Sequence, residues 1–173
     1  MNQTSSTSSP YLLRRLSAAD ADAYRDLRLE GLQNHPEAFG GSWEEEAIMP
    51  LDWFADRLER NIVIAGFADD LPLLGTAGLG IQQAPKQSHK GMLWGMYVRP
   101  EARGTGLAAA LVQRMIGEAQ GVVEEIQLRV VTSNEAAVRI YSRFGFKEYG
   151  LERRALKIGT RYYDELLMTL ACQ

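Results

Sequence analysis

Cysteine is almost absent: Cys172, the penultimate residue, is the only one, so no intrachain disulfide and no cysteine-rich zinc site can form. That usage suits a reducing, cytoplasmic setting. Only two histidines are present; His35 stands beside a helix-ending proline and His89 in a polar loop, neither with neighbours that suggest a metal site or a catalytic triad. No apolar run approaches the ~18 residues of a membrane helix, and the opening MNQTSSTSSP lacks the basic and apolar regions of a signal peptide. A large excess of charge of one sign is missing too. Lys and Arg total 19 against 22 for Asp and Glu, a net of -3, which gives no excess for gripping a nucleic-acid backbone. Neither nucleic acid nor membrane is expected as a partner.

What is there is an ordinary globular composition: 173 residues, 46% hydrophobic and 24% charged, the size of one domain with a real core. Residues 1–9, rich in Ser and Thr, are expected to be a disordered tail and residues 10–173 a single domain. Ser17-Ala-Ala-Asp20 has a capping pattern that opens a helix carrying Tyr24, Leu27 and Leu32, and His35-Pro36 ends it. After a Gly40-Gly41 turn, Pro50 suits the first position of a second helix with Leu51, Phe54 and Leu58 on one face. Residues 61–67 and 73–81 read as a strand pair joined by an Asp69-Asp70 turn, and residues 92–98 as a further strand.

Two strand-to-helix units follow. Leu107, Leu111 and Met115 mark an amphipathic helix running to about Gly121. Ile126, Leu128 and Val130 form the next strand. Thr132-Ser-Asn-Glu135 reads as a capping box for a helix with Ala137, Ile140, Tyr141 and Phe144 on its apolar side and Gly145 at its end. Residues 146–156 and 162–170 close the chain as a hairpin turning at Gly159-Thr160. The order predicts a three-layer α/β/α domain on a mixed sheet.

The chemistry concentrates after residue 98. Gly104 and Gly106 lie between a strand end and a helix start, where unpaired backbone N–H groups and the helix dipole favour an anion such as a phosphate. A plain tight turn is the alternative. The stretch also fits G-x-G-x-x-A, but Pro100 and its followers separate it from the strand, and no acidic residue ends the next strand. A dinucleotide fold is therefore not indicated. Nor does Gly-Lys-Ser or Gly-Lys-Thr follow, as a nucleoside-triphosphate loop would require.

Arg103-Gly-Thr-Gly106-Leu-Ala108, preceded by Val98-Arg-Pro100, resembles the Q/R-x-x-G-x-G/A motif of the GCN5-related N-acetyltransferases. Asn134, Ala137, Tyr141, Gly145 and Phe146 match that family's N-x-x-A-x-x-x-Y-x-x-x-G-F pattern, and Tyr163-Asp-Glu-Leu-Leu-Met168 is similar to its last strand. The resemblance spans about residues 11–170. It implies an acyl-CoA N-acyltransferase fold whose mixed, mostly antiparallel sheet is splayed between two central strands, with acetyl-CoA as co-substrate and no metal. Backbone groups of Met96, Tyr97 and Val98 would bond the pantetheine arm. Arg103, Gly104, Thr105, Gly106, Leu107, Ala108 and Ala109 would hold the pyrophosphate, and Asn134 would touch the cofactor near its arm. Tyr141 would be the general acid that protonates the departing thiolate; on packing grounds alone it reads as a core aromatic.

The implied reaction is transfer of acetyl from acetyl-CoA to an amine acceptor by direct attack in a ternary complex. Cys172, outside both motifs, argues against a covalent intermediate. A non-catalytic acyl-CoA-binding module is the other reading. The general base is not readable from the sequence: Glu30 and Glu44 come from the region that in this family usually walls the acceptor side, and Glu30 is the candidate; both also read as solvated charges, the favoured reading for the run from Glu44 to Glu46. Trp43, Trp53 and Trp94 could line an acceptor pocket. Arg139 and Arg143 could face a nucleotide phosphate or simply form surface ion pairs. Dimers are common in the family, and an exposed closing strand offers one route to a homodimer.

Overall fold

Alternation at the two-residue period sends Val63 and Ala65 to one side of a strand and Ile64 to the other, and each side meets its own helices. In the computed structural model, residues 11–68 and 72–172 are described. The tail expected over residues 1–9 and the Asp69-Asp70 turn lie outside them.

Seven strands form one sheet: β1 (Leu12–Arg15), β2 (Ile62–Phe67), β3 (Gly75–Ile81), β4 (Lys90–Val98), β5 (Glu125–Val131), β6 (Lys147–Ile158) and β7 (Arg161–Ala171). Their spatial order is β1-β2-β3-β4-β5-β7-β6, and only the β4–β5 pair is parallel. One face carries α1 (Ala21–Asn34), the single turn α2 (Trp43–Glu46) and α3 (Leu51–Arg60). The other carries α4 (Leu107–Ala119) and α5 (Glu135–Arg143). This is the three-layer α/β/α arrangement on a mixed sheet that the sequence order predicts.

The core is built from the expected periodic positions. Leu107, Leu111, Val112 and Met115 of α4 are at most 1% exposed, each such side chain contributing about 1.5–3 kcal/mol of burial. Tyr24, Leu27 and Leu32 of α1 bury against Phe54 and Leu58 of α3.

Several local expectations shift. The Ser17–Asp20 motif opens a 3₁₀ turn, Ala18–Asp20, before α1, with the Asp20 carboxylate accepting from the Ser17 N–H at 2.9 Å. Pro50 is the residue before the first turn of α3 rather than its first helical position, its ψ of 160° being still extended. The cap of α5 is Asn134, not Thr132: the Asn134 Oδ1 accepts from Ala137 N–H at 3.2 Å. Asparagine caps because its short carbonyl reaches the third helical amide, and Thr132 instead stays with the sheet, donating its N–H to Asp164.

The larger correction concerns the acidic run. Glu44 and Glu45 are exposed, but Glu46 is 6% exposed and takes hydrogen bonds from Arg28 (2.9 and 2.6 Å) and Arg57 (3.1 Å), tying α1, α2 and α3 together. Burial pushes the Glu46 carboxyl up, yet the Arg28 hydrogen bonds and the two guanidinium charges outweigh it and hold the group below its ordinary value. A carboxylate so depressed adds stability that is present above the ordinary pKa of 4.5 and is lost as the pH falls through the folded value. Glu46→Gln, which strands the buried Arg28 and the half-buried Arg57, is expected to cost about 3 kcal/mol at pH 7. In urea unfolding the gap between wild type and variant narrows below pH 4.5. Equal stabilities at pH 7 would remove Glu46 as the brace.

Candidate active site

The parallel β4–β5 pairing holds only at Lys90↔Glu125, Gly91↔Ile126 and Met92↔Gln127. Past Met92 the strands part, and a cleft of about 670 Å³ opens between them. It runs from the α4 N-terminus, between β4 and the start of α5, to the segment after α1. The expected splay is therefore present and forms the candidate site.

On the β4 wall, Met96, Tyr97 and Val98 line the cleft. At its base, Arg103, Gly104, Gly106, Ala108 and Ala109 line it as well. Gly104 and Gly106 have φ of 74° and 93°, the left-handed region that glycine tolerates, and open space lies where their side chains would be. The first helical bond of α4 runs from Ala110 N–H to the Gly106 carbonyl, leaving the Leu107, Ala108 and Ala109 N–H groups without helical partners. No acidic residue occupies the first turn of α4. These amides and the helix dipole form an anion seat.

Two predicted contributors act from behind. Leu107 is wholly buried and packs beneath the sheet against Gly66; only its amide can serve the cleft. Thr105 is not on the lining, and its hydroxyl donates to the Ala102 carbonyl, fixing the turn. Arg103 is held between the end of β4 and the segment after α1: Nε donates to the Val98 carbonyl at 3.0 Å and Nη2 donates to His35 Nε2 at 3.0 Å.

From the opposite wall, Asn134 and Tyr141 both reach the cleft, two helical turns apart on α5. Asn134 spends its oxygen on the helix cap, which leaves its amide N–H groups free to donate. Tyr141 is 6% exposed and stacks edge-on against Phe146 at 5.7 Å, and its hydroxyl has no hydrogen bond to another described residue. Burial raises its pKa well above that of an ordinary phenol, so the group stays protonated.

Glu30 is not on the lining. Its Oε1 accepts from the Tyr97 hydroxyl at 3.0 Å, and its Oε2 pairs with Arg99 at 3.0 Å. It therefore touches the cleft through Tyr97, whose own pKa is raised by burial and then by the Glu30 hydrogen bond and charge.

Of the three tryptophans, only Trp94 lines the cleft; Trp53 packs under Arg57, and Trp43 is 40% exposed. Gly78 makes room for Trp94, because a Cβ there would lie 2.6 Å from the indole. Arg139 makes an i,i+4 pair with Glu135 at 3.2 Å on the surface, the plain alternative for that residue.

The sequence reading missed His35, Phe39 and Arg129, which also line the cleft. His35 follows α1, and the turn Pro36–Ala38 carries it over the splay to Arg103. No local pattern encodes that crossing, since its partner lies sixty-eight residues away. Among the described residues no group of three or more His, Cys, Asp or Glu could hold a metal ion, and no helix is long and apolar enough to cross a membrane.

The chain matches the acetyltransferase (GNAT) family over residues 24–146. It is 24% identical over 167 residues, 92% of this chain and 97% of the other, to the L-amino acid N-acetyltransferase AaaT of Escherichia coli K12. Its fold is similar to that of a GNAT-family acetyltransferase from Streptococcus pneumoniae, with a TM-score of 0.83, 22% identity, and coverage of 94% of this chain and 99% of that one. A phosphinothricin acetyltransferase from Sinorhizobium meliloti, in complex with acetyl-CoA, gives a TM-score of 0.80 at 18% identity, covering 94% and 89%. Splayed sheet, glycine turn and family match agree, and the chain belongs to the GNAT acetyltransferase family.

Proposed function

We propose that this protein transfers acetyl from acetyl-CoA to a primary amine by direct attack, both substrates being held in the β4–β5 cleft. The observation that carries the reading is the cleft itself: an unpaired strand edge on β4 leads from the amide seat at the α4 N-terminus to a free, protonated phenol at Tyr141. The residues fit the ligand. An extended arm needs a strand edge, a pyrophosphate needs clustered amides, and the structurally similar phosphinothricin enzyme holds acetyl-CoA.

When bound, acetyl-CoA supplies an acetyl group already activated as a thioester. Backbone N–H groups of β4 around Met96–Val98 orient it and polarise its carbonyl. As the neutral amine nitrogen bonds to the carbonyl carbon and the C–S bond breaks, the Tyr141 hydroxyl gives its proton to the sulfur, and the extra proton left on the new amide nitrogen returns to the tyrosinate. Asn134, free to donate, steadies the arm. The ammonium proton leaves through the Tyr97 hydroxyl to Glu30, the carboxylate that the 3.0 Å hydrogen bond places behind the β4 wall. The amine class agrees with the E. coli relative, whose name gives an L-amino acid as its acceptor. A tyrosine hydroxyl left unbonded in the cleft favours an enzyme over a silent acyl-CoA-binding module.

Tyr141→Phe is expected to lower kcat by about 10²–10⁴-fold while acetyl-CoA affinity and thermal stability stay near wild type. Thiol release in the presence of an accepted amine reads the outcome, and full turnover would sink the general-acid role. Glu30→Gln is expected to lower kcat/KM by about 10²-fold and to move the acid limb of its pH profile. A variant with the wild-type profile would show that Glu30 does not take the proton.

A further inference from the structure

Arg28 lies in α1 with 8% exposure, yet its guanidinium is only partly satisfied. Nε donates to Glu46 Oε2 at 2.9 Å and Nη2 to Glu46 Oε1 at 2.6 Å, a fork-to-fork pair that fixes the plane of the group. Its flat face lies 5.0 Å from the centre of the Phe39 ring, which lines the cleft. Nη1 has no hydrogen bond to any other described residue. It lies beside the bulge of β4: a Cβ on Gly95, a lining residue, would sit 3.9 Å from it. Gly95 has φ of 64°, and the register of β3 against β4 shifts between Thr76 and Gly78, so the strand is deformed where Arg28 approaches.

Charge counts in the same direction. Glu46 also accepts from Arg57, so a single carboxylate serves two guanidinium groups and one positive charge is left over. Arg57 stacks at 4.5 Å on Trp94, which precedes Gly95 on the same lining. The neighbouring Glu30 does not offset the excess, because Arg99 pairs with it. Arg28 is not itself on the cleft lining, but the wall behind Gly95, Phe39 and Trp94 is thus cationic and holds, next to Gly95, an N–H donor with no partner among the described residues. A bare amine has nothing to offer it. A carboxylate does, and the excess charge would also favour the neutral, nucleophilic form of an adjacent amine.

Resting on the acetyltransferase reading above, we infer that the acceptor carries a carboxylate beside its amino group, as α-amino acids do, and that Arg28 is the residue that recognises it. Glu46 is a positioning residue: it holds the fork so that Nη1 lies beside Gly95. Phe39 and Trp94 bound the space left for the acceptor's side chain.

The test compares matched acceptors on the full-length protein with acetyl-CoA: L-phenylalanine, L-phenylalaninamide and 2-phenylethylamine, with the same three forms of leucine as a second set. Wild type is expected to favour each acid over its amide and its decarboxylated amine by on the order of 10- to 100-fold in kcat/KM, carried by KM. Arg28→Gln is expected to reduce that preference to near unity, and Arg28→Lys to keep part of it. Equal use of acid, amide and amine by wild type overturns the inference without any variant and leaves the acetyltransferase reading standing. Retained preference in folded Arg28→Gln also overturns it. Calorimetric binding of the acids, but not the amides, to the CoA complex with no thiol release supports Arg28 as the anchor and defeats the transfer reaction. Absence of both turnover and acid-selective binding overturns both.

Discussion

The functional architecture depends on one interrupted interaction, the parallel pairing of β4 with β5. Three residue pairs hold it, and from Leu93 onward the strand edges face a cleft in place of each other. Unpaired edge groups inside a fold are costly unless something completes them. Here helices on both faces keep the strands apart: α4 and α5 pack on one side, and the segment after α1 crosses the other. The sheet can tolerate the gap because β5 is anchored elsewhere, paired with β7 from Glu125↔Ala171 to Val131↔Glu165. A strand edge left open between two well-packed layers is a rigid template for an extended ligand.

The two walls of that gap differ in chemistry. The end by α4 is made of amide dipoles and glycines, which suit an anion without any lysine or arginine having to reach it. The α1–α3 end is made of aromatic rings backed by arginines, with Glu46 tying Arg28 and Arg57 together. The net charge of -3 conceals both features. One arises from backbone dipoles that carry no formal charge, and the other from a buried cluster whose excess is cancelled elsewhere on the surface.

Legibility in the sequence follows the range of the interactions. The strands and helices, and the glycine turn at Gly104–Gly106, depend on near neighbours, and their periodicity places them within a few residues. Asn134 and Tyr141 stand out only through the family resemblance; helical spacing by itself puts them on one face, and packing alone reads Tyr141 as a core aromatic. Glu46 was misread for the opposite reason: within Glu44-Glu45-Glu46 nothing local separates the buried carboxylate from its exposed neighbours. The arginines that bury it come from α1 and α3. His35 and Phe39 reach the cleft only because the chain after α1 folds back over the splay. Trp94 was one of three equivalent tryptophans until Gly78 and Arg57 fixed its ring at the wall.

Backbone hydrogen exchange with and without acetyl-CoA tests the central claim, that the broken β4–β5 pairing is completed by the acyl donor. The account predicts slowed exchange at Met96, Tyr97 and Val98 and at Leu107, Ala108 and Ala109, with the already paired Lys90–Met92 stretch of β4 unchanged. Protection confined to other parts of the sheet, or none at the β4 edge under saturating acetyl-CoA, would contradict it.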